Sequence, residues 1–160
     1  MGLMSIKVHT ALCSHMDANP KRKHRSVNEF QGLRCLWCKV DLSAVDAYRC
    51  KVKLCTPVFR RGERYGACTS CLETFLTLER VCYACSHVTA EDVYAETNVH
   101  TENLRIRCYY CGGCLTPNEK HRHETLGEPY CKIRGIIRGR CYLCAQDNAR
   151  PIHNEKPASR

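Results

Sequence analysis

Four Cys-x2-Cys pairs stand at Cys35/Cys38, Cys68/Cys71, Cys108/Cys111 and Cys141/Cys144, separated by 29, 36 and 29 residues. Thiolates are soft ligands, and a Cys-x2-Cys turn presents two sulfurs to one side of a metal ion, so two such turns complete the tetrahedron that zinc prefers. The spacing predicts two closed sites: Cys35, Cys38, Cys68 and Cys71 around one Zn2+, and Cys108, Cys111, Cys141 and Cys144 around a second. Four thiolates leave zinc no open position for water or substrate. No nucleophile with an adjacent base is visible elsewhere, so the chemistry points to a binding module and not to an enzyme.

The other cysteines fall outside this scheme. Cys82 and Cys85 form a fifth pair ten residues after Cys71. Using it would leave Cys35 and Cys38 without partners, so both are expected on or near a helix as small buried residues or free thiols. Cys111-Gly112-Gly113-Cys114 resembles a redox pair, but Cys111 already serves zinc, and no βαβ pattern surrounds it. Cys13, Cys50, Cys55, Cys114 and Cys131 receive no metal role, and His121 and His123 read as surface or structural because the cysteine sets are complete without them.

The elements that must hold these turns follow from a duplication. Shifting the first half by 73 residues superposes Arg34 on Arg107, Leu42 on Leu115, Arg49 on Arg122, Arg61 on Arg134, Gly62 on Gly135 and Gly66 on Gly139. Matches in register outside the cysteines mark an internal repeat. The fold class expected is α+β: two pseudo-repeated small zinc-binding domains, each a short antiparallel sheet with helices, joined by a helical linker. The boundaries read as an arm over 1–28, zinc domains over 29–72 and 105–147, a linker over 73–104 and a tail over 148–160.

Within the first domain, Ala47–Tyr48, Val52–Leu54 and Val58–Arg60 read as strand-like runs ended by Gly62 and Gly66. From Ala67 to Cys111 there is neither Gly nor Pro, and Leu72, Phe75, Leu76, Leu78, Val81 and Cys82 recur at helical intervals. A second helix is expected to start at Thr89, with Asp92 at the capping-box position. These helices connect the two zinc units and offer a wall for a cleft.

Fifteen cysteines in 160 residues could serve as disulfides or as metal thiolates. The odd count, the repeated Cys-x2-Cys pairs and the lack of an apolar segment after Met1 favour thiolates in a reducing compartment. A half of this size also buries too little apolar surface to fold without a metal or other staple. No run is long and apolar enough for a membrane span, so no membrane partner is expected. The formal charge is +9. Eight thiolates subtract eight and two zinc dications return four, which leaves +5, a moderate excess suited to an acidic partner. Lys21, Arg22, Lys23, His24 and Arg25 make the arm basic, and Met16 is a second start that would shorten it.

The full cysteine pattern from Cys35 to Cys144 resembles the papillomavirus early protein six family of viral oncoproteins. The segments CLWC, RYGACTSCLE, IRCYYCGG, LTPNEKHRH and IIRGRCYLC look closer to the bovine fibropapillomavirus version than to the human high-risk ones. The resemblance implies capture of acidic, amphipathic LxxLL helices of host proteins in a groove. Carried over by motif, the wall includes Trp37, Cys55, Val58, Ala67, Leu72, Phe75 and Leu78, with Arg107 and Arg134 gripping the peptide's acids. Ile136 stands where the high-risk pattern has another arginine, and Arg138 is expected to substitute for it.

The partners implied are a Mastermind-like Notch co-activator, paxillin or a HECT ubiquitin ligase, met in the host nucleus and cytoplasm by a monomeric or weakly self-associating protein. The C-terminal Pro157-Ala158-Ser159-Arg160 lacks a small apolar last residue and a hydroxyl two places before it, so no PDZ partner is expected. The alternative function is that of a transcriptional regulator that binds nucleic acid directly through the basic arm and the arginines near Cys108 and Cys141. It predicts steep salt dependence, and no helix with basic residues clustered on one face supports it.

Overall fold

The computed structural model describes residues 29–83, 86–147, 150 and 152. The basic arm, Cys13, Cys85 and the C-terminal Pro157–Arg160 lie outside the described residues. The chain divides into two compact units, the boundary falling between Cys71 and Leu72.

In the first unit, β1 (Arg34–Cys35), β2 (Val58–Arg60) and β3 (Glu63–Gly66) form a sheet in the order β1-β3-β2. β2 and β3 make an antiparallel hairpin with Val58 opposite Tyr65, while β1 runs parallel to β3, pairing Cys35 with Gly66. Between β1 and β2 lies helix α1 (Ala44–Val52). The expected strands at Ala47–Tyr48 and Val52–Leu54 are therefore corrected: Ala47, Tyr48 and Val52 are helical. Ser43 caps the helix by accepting from the Asp46 N–H at 3.0 Å. Ala47 and Cys50, three apart, form its buried stripe. The core is Phe30, Cys35, Leu42, Ala47 and Cys50, with Trp37, Cys55, Cys68 and Cys71 packed against it.

Helix α2 (Thr69–Cys82) begins in the first unit, where it carries Cys71, and continues into the second. In the first unit Asp46 accepts from the Thr69 N–H at 2.9 Å and its hydroxyl at 2.7 Å, which ties α1 to the start of α2.

The second unit contains β4 (Ser86–Val88), α3 (Ala90–Thr97), β5 (Arg107–Cys108), α4 (Pro117–Leu126), β6 (Tyr130–Ile133), β7 (Ile136–Gly139) and α5 (Tyr142–Gln146). Its sheet has the order β4-β6-β7-β5. The repeat is exact in register: Cys108 pairs in parallel with Gly139 and Cys131 opposes Arg138, each partner 73 residues beyond its first-unit equivalent. The isolated bridges Arg34–Asp41 and Arg107–Cys114 obey the same shift. The expected antiparallel sheets are in fact mixed, because the first strand of each knuckle pairs in parallel.

Thr89 caps α3 in a capping box with Asp92, as the sequence suggested. The linker expected over 73–104 is helical at α2 and α3, and between them it contributes β4, which pairs antiparallel with β6 and gives the second sheet a fourth strand. Cys82 closes α2 with an exposed side chain. No helix among the described residues is long and apolar enough to cross a membrane.

Candidate metal centres

Each four-cysteine set is assembled from three local pieces: a turn after a two-residue strand, the end of the hairpin, and the first turn of a following helix. The backbone of the first turn folds back so that the Lys39 N–H donates to the Cys35 carbonyl at 3.1 Å. In the second unit the Gly112 N–H donates to the Cys108 carbonyl at 2.9 Å. Lys39 and Gly112 both hold positive φ, 64° and 72°. The strand pairing brings the second pair of cysteines up to the first. At its end core leucines lie so close over the glycines that a Cβ on Gly66 would stand 2.5 Å from Leu42 Cδ1, and one on Gly139 2.7 Å from Leu115 Cδ2.

The ligand atoms of Cys35, Cys38, Cys68 and Cys71 lie within 4.8 Å of one another, as do those of Cys108, Cys111, Cys141 and Cys144. Cys38 and Cys68 Sγ are 3.9 Å apart, and Cys111 and Cys141 Sγ 3.8 Å. A tetrahedron with Zn–S bonds of about 2.3 Å has edges of about 3.8 Å, so these two pairs stand at zinc spacing.

The electrostatics demand a cation. In the first set, burial raises the Cys35 thiol, but N–H groups of Cys68, Cys38 and Trp37 outweigh it and draw it down to about 7. Burial and the neighbouring sulfurs push Cys71 up to about 12. In the second set, hydrogen bonds from Cys111, Cys141 and Cys144 pull Cys108 down, and those three are pushed up. In each set one sulfur is drawn down while sulfurs beside it are pushed up, since adjacent thiolates repel one another without a dication among them.

The supporting shell suits charged sulfur. The Cys68 N–H points at Cys35 Sγ and the Cys141 N–H at Cys108 Sγ, both at 3.5 Å, and Tyr110 N–H approaches Cys108 Sγ at 3.4 Å. Arg150 donates from Nη1 to Cys144 Sγ at 3.0 Å, and its Nε pairs with Asp147 Oδ2 at 3.2 Å. These residues hold two Zn2+ ions, one in each unit, with sulfur at all four positions of each site.

The remaining sequence-derived residues are placed as follows. Trp37 and Cys55 are half-buried against the first core; Val58, Ala67 and Leu72 are buried; Phe75 is half-buried; and Leu78 is 49% exposed. Arg134 is exposed, its guanidinium 4.4 Å over the Tyr83 ring. Arg107 is buried and donates to the Gly112 carbonyl at 2.9 Å. Arg138 was expected to replace a peptide-gripping arginine. Its side chain is only 2% exposed and bonded to Glu79 Oε2 at 3.2 Å, so it anchors α2 to β7 and does not face solvent.

His123 is structural, as expected. Its Nδ1–H donates to the Glu128 carbonyl at 3.0 Å, its Nε2 accepts from the Arg140 N–H at 3.0 Å, and it stacks on Tyr130. His121 is exposed. Sequence reading missed Glu128, a buried carboxylate that accepts from Arg122 and Arg140 at 2.8 Å each. A lone glutamate beside a proline carries no local signal of such a role.

Fold and site together define a duplicated zinc module, two four-thiolate units in sequence. A model of the Early Protein (E6) family matches residues 35–144. The chain is 49% identical over 136 residues to Protein E6 of bovine papillomavirus type 1, covering 84% of this chain and 97% of that one. It is 48% identical over 124 residues to Protein E6 of Bos taurus papillomavirus 2, covering 77% and 90%. Against Protein E6 of human papillomavirus 45 identity falls to 32% over 118 residues, covering 74% of each. The solution structure of the C-terminal zinc-binding domain of HPV51 oncoprotein E6 aligns with 46% of this chain and 95% of its own length, at 27% identity and a TM-score of 0.38. The chain belongs to the Early Protein (E6) family and is a viral early protein with two zinc sites.

Proposed function

We propose that the protein is an adaptor that captures acidic LxxLL helices of host proteins and thereby blocks or redirects them, acting by binding and not by catalysis. The captured host proteins are a Mastermind-like Notch co-activator, paxillin or a HECT ubiquitin ligase, in the nucleus and cytoplasm. The observation that carries the reading is the second apolar stripe of α2. Leu72, Leu76 and Glu79 are the buried face of the helix. Phe75, Leu78, Val81 and Cys82 follow one another along an adjacent face, and Leu78, Val81 and Cys82 remain exposed, Leu78 by 49% and Val81 by 66%. A helix apolar on one face needs no second stripe for its own packing, and exposed apolar stripes serve leucine-bearing helices as partners.

In this reading Trp37, Cys55, Val58, Ala67, Leu72, Phe75 and Leu78 receive the leucines. Arg134, exposed beside the end of α2, meets the acidic residues, and Arg107 and Arg138 support from within. The test is fluorescence anisotropy of the zinc-loaded protein against labelled LxxLL peptides from the three partners, with leucine-to-alanine controls. Leucine-dependent binding, weakened by Leu78→Asp with both zinc ions retained, is expected. No binding to any peptide, together with salt-sensitive binding to DNA, overturns the reading in favour of a nucleic-acid function.

A further inference from the structure

The first unit contains a cysteine pair that zinc does not use. α1 ends in a Schellman motif: the Cys55 N–H donates to the Cys50 carbonyl at 2.9 Å and the Leu54 N–H to the Lys51 carbonyl at 3.0 Å. Leu54 sits between them in the left-handed region, at φ 52°. This motif brings the side chains of its first and last residues together, a contact commonly made by two apolar groups. Here both are cysteines, and their thiols share a hydrogen bond.

The second unit makes a related contact at the same place. Its equivalents, His123 and Glu128, lie 73 residues further on with Gly127 at φ 63° between them, and they too touch, His123 Nδ1–H donating to the Glu128 carbonyl at 3.0 Å. Backbone closure of this kind leaves little for a disulfide to rearrange, since its geometry requires only that the two Cα atoms lie about 4.4–6.8 Å apart with converging Cβ atoms.

We propose that Cys50 and Cys55, neither of them a zinc ligand, form an oxidant-responsive disulfide site, one member of which, Cys55, also lies in the proposed peptide wall. Cys55 is half-buried and Cys50 only 3% exposed, so the oxidant meets Cys55 first. With hydrogen peroxide, the Cys55 sulfur attacks one oxygen, the O–O bond breaks, and water leaves with a sulfenic acid on Cys55. The Cys50 sulfur then attacks the Cys55 sulfur, the S–O bond breaks, and a second water leaves carrying the Cys50 proton. The peroxide gains the two electrons that the thiols lose. Cys50 is the natural resolving thiol because it is already in contact, whereas its other partner is only the Ala67 carbonyl at 3.3 Å.

Lys51 and Lys53 lie between the two cysteines, so trypsin separates them and a disulfide leaves two peptides linked. The experiment treats the full zinc-loaded chain with equimolar hydrogen peroxide, blocks remaining thiols, and reads tryptic peptides by mass spectrometry alongside zinc content. The expected result is the linked Cys50–Cys55 peptide pair, with two hydrogens lost and both zinc ions retained. The link should vanish in Cys55→Ser, whose site is half-buried and tolerant, and in Cys50→Ala if it keeps its zinc. Oxidation appearing first among the zinc ligands with metal release, or Cys55 oxidised while Cys50 stays free in the same map, overturns the proposal.

Discussion

At the scale of single residues, the cysteines and the buried arginine make the sharpest demands. Cys141 is at once a zinc ligand, the residue before α5 and part of the second core, so Cys141→Ser removes a thiolate and a packed side chain together. Because a structural zinc site contributes on the order of 10 kcal/mol or more, the second unit should unfold while the first keeps its metal. Zinc content falling from two per chain to one, with the Tyr130 environment lost, is the expected readout. Two zinc ions on a folded variant would remove Cys141 from the ligand set. Arg138 presents a different case. Its partner Glu79 is 4% exposed, so Arg138→Leu strands a buried carboxylate, and denaturation should show a loss of about 3–5 kcal/mol. Arg138→Leu combined with Glu79→Leu should recover most of that loss, because the uncompensated charge is gone.

At the scale of elements, the helices are joined to the metal sites through short polar connections. Burial raises the Asp46 carboxyl, but the Thr69 N–H and hydroxyl and Ser43 more than offset it, so the group is held below its ordinary range. A depressed carboxyl contributes stability that is fully present above its unfolded value of 3.8 and lost as pH falls through the folded one. Asp46→Ala should therefore destabilise the first unit by about 1–3 kcal/mol, the worth of hydrogen bonds to a charged group. The gap should stay level between about pH 5 and 8, well above that window. A gap that widened or closed across this range would assign the effect to another titrating group.

At the scale of the whole molecule, two small cores depend on two metal centres. Each core packs directly on its cysteines: Cys35 is completely buried in one and Cys108 in the other. Removing zinc with a chelator should therefore collapse helix and sheet signals in both units, not merely loosen loops. Acid should do the same, since protons compete with zinc for the thiolates, and added zinc at neutral pH should restore the spectrum. Retention of full secondary structure after both ions are gone would show that the apolar cores suffice alone.

Cysteine spacing alone determined the two metal sets and the duplication, because a Cys-x2-Cys turn is local and a 73-residue repeat survives in the side chains that pack around it. The capping box at Thr89 was legible for the same reason: its signal is complete within four residues. Only the tertiary structure decided that Ala47 and Tyr48 are helical, that β1 and β5 pair in parallel, and that β4 joins the second sheet. Strand pairing joins residues far apart in sequence, and a two-residue strand has no periodicity of its own. It also decided that Arg138 faces inward. An arginine beside glycine reads as solvated until a carboxylate 59 residues away, Glu79, arrives from another helix to neutralise it.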